Sequence, residues 1–321
     1  MYNQYLLFKV SRLFYIKIFF FNKLYFTLII MYYQLFNDTK EYKFNNINHL
    51  DTLNNKHDIN IISFSNSQLT KLPQLPNNLL VLYCSYNELT ELPDLPNSLN
   101  YLYCSFNKLT KLPKLSNSLI ELYCYNNKLT ELPELPNNLK YLYCHNNKLT
   151  ELPQLPSSLK DLYCHCNQLT LLPELPSNLK LLICHNNQLT QLPKLPTNLI
   201  FLSCSYNQLT HLPQLPNNLN RLDCNDNQLK QLPELPNSLT ELYCHYNKLT
   251  HLPQLPSNLK YIKCYNNSKN LHKYIIHCKK LKYYKKYKKY KYLDKLNELL
   301  NYKITNYYYL EIIKYYDKIL Q

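Results

Sequence analysis

Ten cysteines recur at one fixed interval of 20 residues, from Cys84 through Cys104, Cys124, Cys144, Cys164, Cys184, Cys204, Cys224 and Cys244 to Cys264. His145, His165 and His185 each follow directly on one of them, and Cys166 adjoins His165. Thiolates and imidazoles are ligands that suit Zn²⁺ and Cu²⁺, so three imidazoles on neighbouring elements could share such an ion. Duplication of a 20-residue unit produces the same spacing without any metal, however, and no C-x-x-C pair accompanies it. The expectation is no metal and no cofactor, with His145, His165 and His185 as the candidate ligand set. The cysteines read as interior residues, because Cys packs as a small hydrophobe. A ladder of thiols on strands about 4.8 Å apart suits a reducing, intracellular compartment.

Catalysis finds little support elsewhere. The chain has no glycine, so the phosphate-cradling loops and the nucleophile elbow, which need a backbone free of Cβ, are all missing. Paired carboxylates occur only as products of the repeat. The expectation is a protein that is not an enzyme.

The element that positions these residues is a repeat. Leu79–Ser98 reads LLVLYCSYNELTELPDLPNS, Leu99–Ser118 reads LNYLYCSFNKLTKLPKLSNS, and the frame returns through the middle of the chain. A period of this length marks a solenoid, in which each unit covers the apolar face of its neighbour. Leu82 and Cys84 are two apart and share one side of a short strand, while Val81, Tyr83 and Ser85 take the other. Asn87 ends the strand, where its amide can bond exposed backbone groups. The ladder Cys84, Asn87, Cys104, Asn107, Cys124, Asn127, Cys144 and Asn147 is therefore structural. Leu89, Leu92 and Leu95 fill the interior from the return side. Pro93 and Pro96 forbid a regular helix and favour an extended, polyproline-like wall.

The combined pattern of leucines, asparagine and L-T-x-L-P-x-L-P resembles that of leucine-rich repeat proteins, in the short form of bacterial effectors of the IpaH and YopM type. The resemblance implies a curved repeat solenoid with a parallel β-sheet on the concave face, an extended convex side and helical caps. It also implies protein–protein interaction. Ten full units and one partial unit span residues 59–271. Ser116 departs from the second proline, and Phe64 and Ser67 replace Cys and Asn in the first unit. Some members of the effector group carry a ubiquitin-ligase domain with a C-x-D motif. Cys224-Asn225-Asp226 matches those letters but sits in the repeat frame, and the remaining chain is too short for such a domain, so the ligase reading is rejected.

Partner binding is expected on the concave face. Tyr83, Tyr103, Tyr123, Tyr143 and Tyr163 form a run there, Tyr243 returns later, and Tyr101, Tyr141 and Phe201 lie beside it. Glu121, Asp161, Arg221, Asp223 and Glu241 supply scattered charge. Tyrosine gives rigid, amphipathic contact area. The same ladder could equally serve only to stack on itself.

The flanks differ from the array. Residues 1–58 carry 7 basic and 4 acidic side chains, residues 59–267 carry 15 and 13, and residues 268–321 carry 14 and 4. The net charge of +15 therefore resides mostly in the tail. Residues 5–36 are apolar and aromatic but broken by Lys9, Arg12, Lys17 and Lys23. Their charge-free stretch, 24–36, falls short of the roughly 20 residues that cross a bilayer. Residues 1–58 read as a cap, with a signal or membrane anchor as the open alternative. Residues 272–321 read as a Lys/Tyr-rich helical cap. In it, Lys279, Lys280, Lys282, Lys285, Lys286, Lys288, Lys289 and Lys291 could instead meet nucleic acid or an anionic lipid surface. Absence of alanine and abundance of Asn, Tyr, Lys, Ile and Leu suggest an AT-rich genome. A monomer is expected.

Overall fold

The structure, a computed structural model, describes residues 41–43, 59–268 and 271. Among the described residues, twelve strands of three residues each, β1 (Glu41–Lys43), β2 (Ile61–Ser63), β3 (Val81–Tyr83), β4 (Tyr101–Tyr103), β5 (Glu121–Tyr123), β6 (Tyr141–Tyr143), β7 (Asp161–Tyr163), β8 (Leu181–Ile183), β9 (Phe201–Ser203), β10 (Arg221–Asp223), β11 (Glu241–Tyr243) and β12 (Tyr261–Lys263), form one parallel sheet in sequence order. Register never slips. Leu82 pairs with Leu102 and Leu102 with Leu122, so each residue faces its counterpart 20 positions on.

From β2 to β11 the central residue of each strand points into the solenoid. Leu82, Leu102, Leu122 and their successors to Leu242 are fully buried, as are Cys84 to Cys244. Leu79, Leu89 and Leu92 close the interior from the other sides, and Phe64 occupies the cysteine position of the first unit. Burying a leucine contributes about 1.5–3 kcal/mol, so repetition of these positions supplies the cohesion. Between strands, the proline-bearing stretch carries neither helix nor strand.

Each turn ends in a four-residue reversal. Leu99 N–H donates to Pro96 C=O at 3.0 Å, and Leu119 N–H to Ser116 C=O at 3.1 Å. Ser116 thus keeps the reversal without the proline ring. Its hydroxyl donates to Asn97 C=O at 2.7 Å, which satisfies a polar group that is almost wholly buried.

Each asparagine serves two turns. Asn87 Nδ2 donates to Phe64 C=O at 2.8 Å and to Cys84 C=O at 3.1 Å, while Oδ1 accepts the N–H groups of Ser67 and Leu69, each at 3.0 Å. The pattern recurs to Asn267.

Two features were not expected. β1 pairs with β2 in the same register, Glu41 opposite Ile61, although residues 41–58 lack the repeat's letters. The sheet therefore begins within the segment assigned to a cap. Second, the third residue after the strand adopts a left-handed backbone in every unit from β2 onward, with φ from 49° at Asn266 to 59° at Asn66 and Tyr86. Glycine would take this conformation freely. Here Asn126, Asn146 and Asn186 do so, but so do Phe106, Cys166, Asp226, Tyr206 and Tyr246. The expected helical cap at 272–321, the possible anchor at 5–36 and the lysines from Lys279 to Lys291 lie outside the described residues.

Candidate functional site

On the concave face, alternation leaves two columns of side chains, one from the first and one from the third residue of each strand. The third-residue column carries the tyrosine ladder. Ring centroids are 4.8 Å apart for Tyr83 and Tyr103, 4.9 Å for Tyr103 and Tyr123, 4.3 Å for Tyr123 and Tyr143, and 4.2 Å for Tyr143 and Tyr163. All are stacked except the Tyr103–Tyr123 pair, which is tilted by 37°. The strand spacing of about 4.8 Å imposes this stacking, because rings in register have nowhere else to pack. Tyr103 Oη donates to Glu121 Oε2 at 2.9 Å. Burial pushes the Glu121 carboxyl up, against hydrogen bonds from Tyr103 and Tyr123 that hold it down. Burial and the Glu121 charge together raise the Tyr103 phenol, so its proton stays in place as a donor.

Tyr101 and Tyr141 lie in the first-residue column, half-buried on either side of Glu121. Further along, the face is buried: Tyr163 is 8% exposed, Leu181 and Ile183 are 0%, and Phe201 is 2%. Tyr163 and Phe201, expected as contact residues, therefore offer little surface in this structure.

A second cluster surrounds Arg221. Its guanidinium lies 5.2 Å from the Phe201 centroid and 4.7 Å from that of Tyr243, and Nη1 is 3.2 Å from Glu241 Oε2. Tyr243 Oη donates to the same carboxylate at 3.1 Å. Planar guanidinium stacks on rings more readily than ammonium does. Asp223 adjoins this group. Burial pushes its carboxyl up to about 6, with the Arg221 charge opposing.

The histidines form a third arrangement. Tyr125, His145, His165 and His185 stack in succession at 4.4, 4.2 and 4.3 Å. Nδ1 of His145 and of His165 is buried with no hydrogen-bond partner, and Nδ1 of His185 lies 3.0 Å from Asn186 Nδ2. Face-to-face imidazoles hold their lone pairs side by side rather than aiming them at one point. Among the described residues no group of three or more His, Cys, Asp or Glu side chains could hold a metal ion. His145, His165 and His185 are brought together as a stack. Burial pushes His145 down to about 3 and His185 to about 4, and holds His165 well below the ordinary imidazole value.

The cysteine ladder is chemically quiet. All ten thiols are free and buried, and burial raises every one, Cys104 and Cys144 to about 12. Cys224 has the same environment, raised by burial and by neighbouring Cys244 and Cys204, which suits packing rather than attack on a substrate.

The left-handed position and the Arg221 cluster escaped the sequence reading. The first leaves no residue signature when Tyr, Phe and Cys share it with Asn. The second could have been found from the register, which sets Phe201, Arg221 and Glu241 side by side.

The family pattern described as Leucine Rich repeats (2 copies) matches residues 117–157. YopM from Yersinia pestis, solved as a leucine-rich effector protein, shares 40% identity over 66% of this chain and 62% of its own, with a TM-score of 0.62. The chain is a leucine-rich repeat protein. YopM from Yersinia enterocolitica WA-314 is 33% identical over 67% of this chain and 59% of its own, with a TM-score of 0.56. The leucine-rich repeat domain of APL1B shares the fold alone, at 20% identity and a TM-score of 0.55, over 65% of this chain and 68% of its own. This leucine-rich repeat chain spans about three fifths of each YopM chain. No curated protein sequence matches it. Leucine-rich repeat domains are in general interaction modules that bind proteins, and the short Asn-capped, proline-walled units here are of the YopM and IpaH type.

Proposed function

We propose that the solenoid is a non-catalytic module that binds a protein partner through its concave face. The observation that carries this reading is the continuous tyrosine ladder from Tyr83 to Tyr143, half-buried and lined up on one sheet face. Stacking fixes the rings before a partner arrives. Little side-chain entropy is then lost on binding, which is the usual advantage of tyrosine at an interface. The Arg221–Tyr243 cluster extends the same face with a cation already stacked between rings.

Affinity capture from lysate tests the reading, with the full chain beside a Tyr103→Ser/Tyr123→Ser/Tyr143→Ser variant. A protein partner retained by the parent and lost from the variant supports it. Capture of nucleic acid or lipid instead, lost when the lysines of 279–291 become Gln, overturns it. In that case the repeats are a scaffold for the tail. YopM is described as an effector, and an effector role for this chain would be exercised through the same face.

A further inference from the structure

Lys140, Lys160 and Lys180 stand one turn apart, each immediately before the first residue of β6, β7 and β8. Lys140 and Lys180 are exposed and Lys160 is half-buried. The backbone holds them in line: Lys160 N–H donates to Lys140 C=O, and Lys180 N–H to Lys160 C=O, each at 2.8 Å. Like charges in direct cross-strand succession repel one another. None of the three is in an ion pair among the described residues. On the adjoining strands, Glu121 accepts the Tyr103 hydroxyl and Asp161 is buried. Other acids of these units, such as Glu131 and Glu151, fall in the proline-bearing stretch on the convex side.

We infer that the lysine edge receives an extended acidic segment of the partner protein, laid along the sheet margin beside Tyr141. The inference rests on the concave-face reading and specifies the chemistry of its partner. Lys140 and Lys180 are two strand spacings of about 4.8 Å apart, roughly the span of three extended residues. Two observations favour carboxylates on a polypeptide over a single-stranded nucleic acid. Tyr123, Tyr143 and Tyr163 turn their ring faces on one another at 4.3 and 4.2 Å, so bases have no face between them on which to stack. Hydroxyls on this sheet already choose carboxylates, Tyr103 that of Glu121 and Tyr243 that of Glu241.

The test follows binding of a fluorescein-labelled octaglutamate peptide to the full chain by fluorescence anisotropy at about 50 mM salt, where surface charge is weakly screened. One variant carries Lys140→Gln, Lys160→Gln and Lys180→Gln. A charge-matched control carries Lys71→Gln, Lys111→Gln and Lys114→Gln on the convex side. The edge variant is expected to weaken binding at least about 10-fold and the control less than about 2-fold, as for position-specific rather than net charge effects. Equal weakening in both, or in neither, overturns the proposal. So does tighter binding of a labelled oligothymidylate that the same edge lysines govern. In the lysate capture, a partner lost from the tyrosine variant but kept by the edge variant sinks the acidic segment and leaves the concave-face reading intact. A partner kept by both sinks both.

Discussion

Asn107 reaches back one turn: its Nδ2 donates to Cys84 C=O at 2.9 Å while its Oδ1 accepts Leu89 N–H at 3.0 Å. The same amide also donates to Cys104 C=O at 3.1 Å, so one side chain ties two turns at the edge of the sheet. Cys84 C=O and Cys104 C=O each accept a second amide, from Asn87 at 3.1 Å and Asn127 at 3.0 Å, so it is Leu89 N–H that depends on Asn107.

Asn107→Ala strands the buried Leu89 N–H and takes one of two amide donors from each carbonyl. The loss should be about 1–3 kcal/mol, the cost of one unsatisfied buried group. Asn107→Asp keeps the acceptor but turns a charged oxygen toward two carbonyls, and should be no better. Urea denaturation followed by circular dichroism decides it. A loss below about 0.5 kcal/mol in either variant would show that water replaces the amide.

Gln68 and Gln168 occupy the same repeat position, yet only Gln68 has a left-handed backbone, with φ of 55°. A left-handed residue with a Cβ costs about 1–2 kcal/mol, and Asn tolerates the conformation better than Gln. Gln68→Asn should therefore stabilise by roughly 0.5–1 kcal/mol, and Gln168→Asn should not. Thermal melts of the two variants give the comparison directly, and equal shifts would contradict it.

The imidazole stack makes stability fall in acid. His145, at about 3, and His185, at about 4, are depressed in the folded state by burial, whereas the unfolded rings titrate near the ordinary imidazole value of 6.5. Between those limits the unfolded chain binds more protons. Stability therefore rises with pH through that window and is flat above it. Each ring contributes on the order of 1–3 kcal/mol to the change. His145→Phe and His185→Phe should keep the stack and flatten the profile of Tm from pH 4 to 7. An unchanged slope would place the titration elsewhere.

Asp223 works in the other direction. Burial raises its carboxyl to about 6, so the folded state holds the proton more tightly than the unfolded state, and stability from this group grows as pH falls from about 6 toward 4. At neutral pH the ionised form is a burden. Asp223→Asn should stabilise the protein by about 1–2 kcal/mol at pH 7 and have little effect near pH 4. Paired denaturation curves at the two pH values check the sign.

Thiol reactivity should split the cysteines. Within the array, Cys166 is partly exposed, while the ten ladder thiols are buried and raised by desolvation. An aromatic disulfide reagent should modify Cys166 in the native protein and reach the ladder only with denaturant. Rapid native modification of Cys144 or Cys164, located by peptide mapping, would contradict the packing described above.

How much of this was legible depends on which force sets each feature. The inward pairing of Leu82 with Cys84 and the strand-ending role of Asn87 follow from apolar alternation and from a polar residue in a fixed frame, and both are written in the letters. β1 is not, because Glu41–Lys43 joins the sheet through backbone hydrogen bonds that any side chain permits. The left-handed residue is a torsion shared by Asn, Tyr, Phe, Cys and Asp, with no common letter. The histidines were visible as neighbours, but strand spacing decides that they stack instead of converging on an ion. Burial of Phe201 and Tyr163 is likewise a property of the fold around them, invisible in a motif that treats the first or the third residue of every strand alike.

The unbroken 20-residue register has a bearing on how such a chain can change its length. Each turn from Leu79 to Asn258 presents the next one with the same leucine, the same cysteine and the same asparagine at the same height. Excising or inserting one whole unit leaves every surviving junction with a partner of the right shape, because neighbours are the only contacts a unit needs. A shift by any other number of residues would turn the leucines outward. Recombination between near-identical copies can therefore resize the solenoid in whole steps, adding or removing binding surface while the packing between units stays as it was.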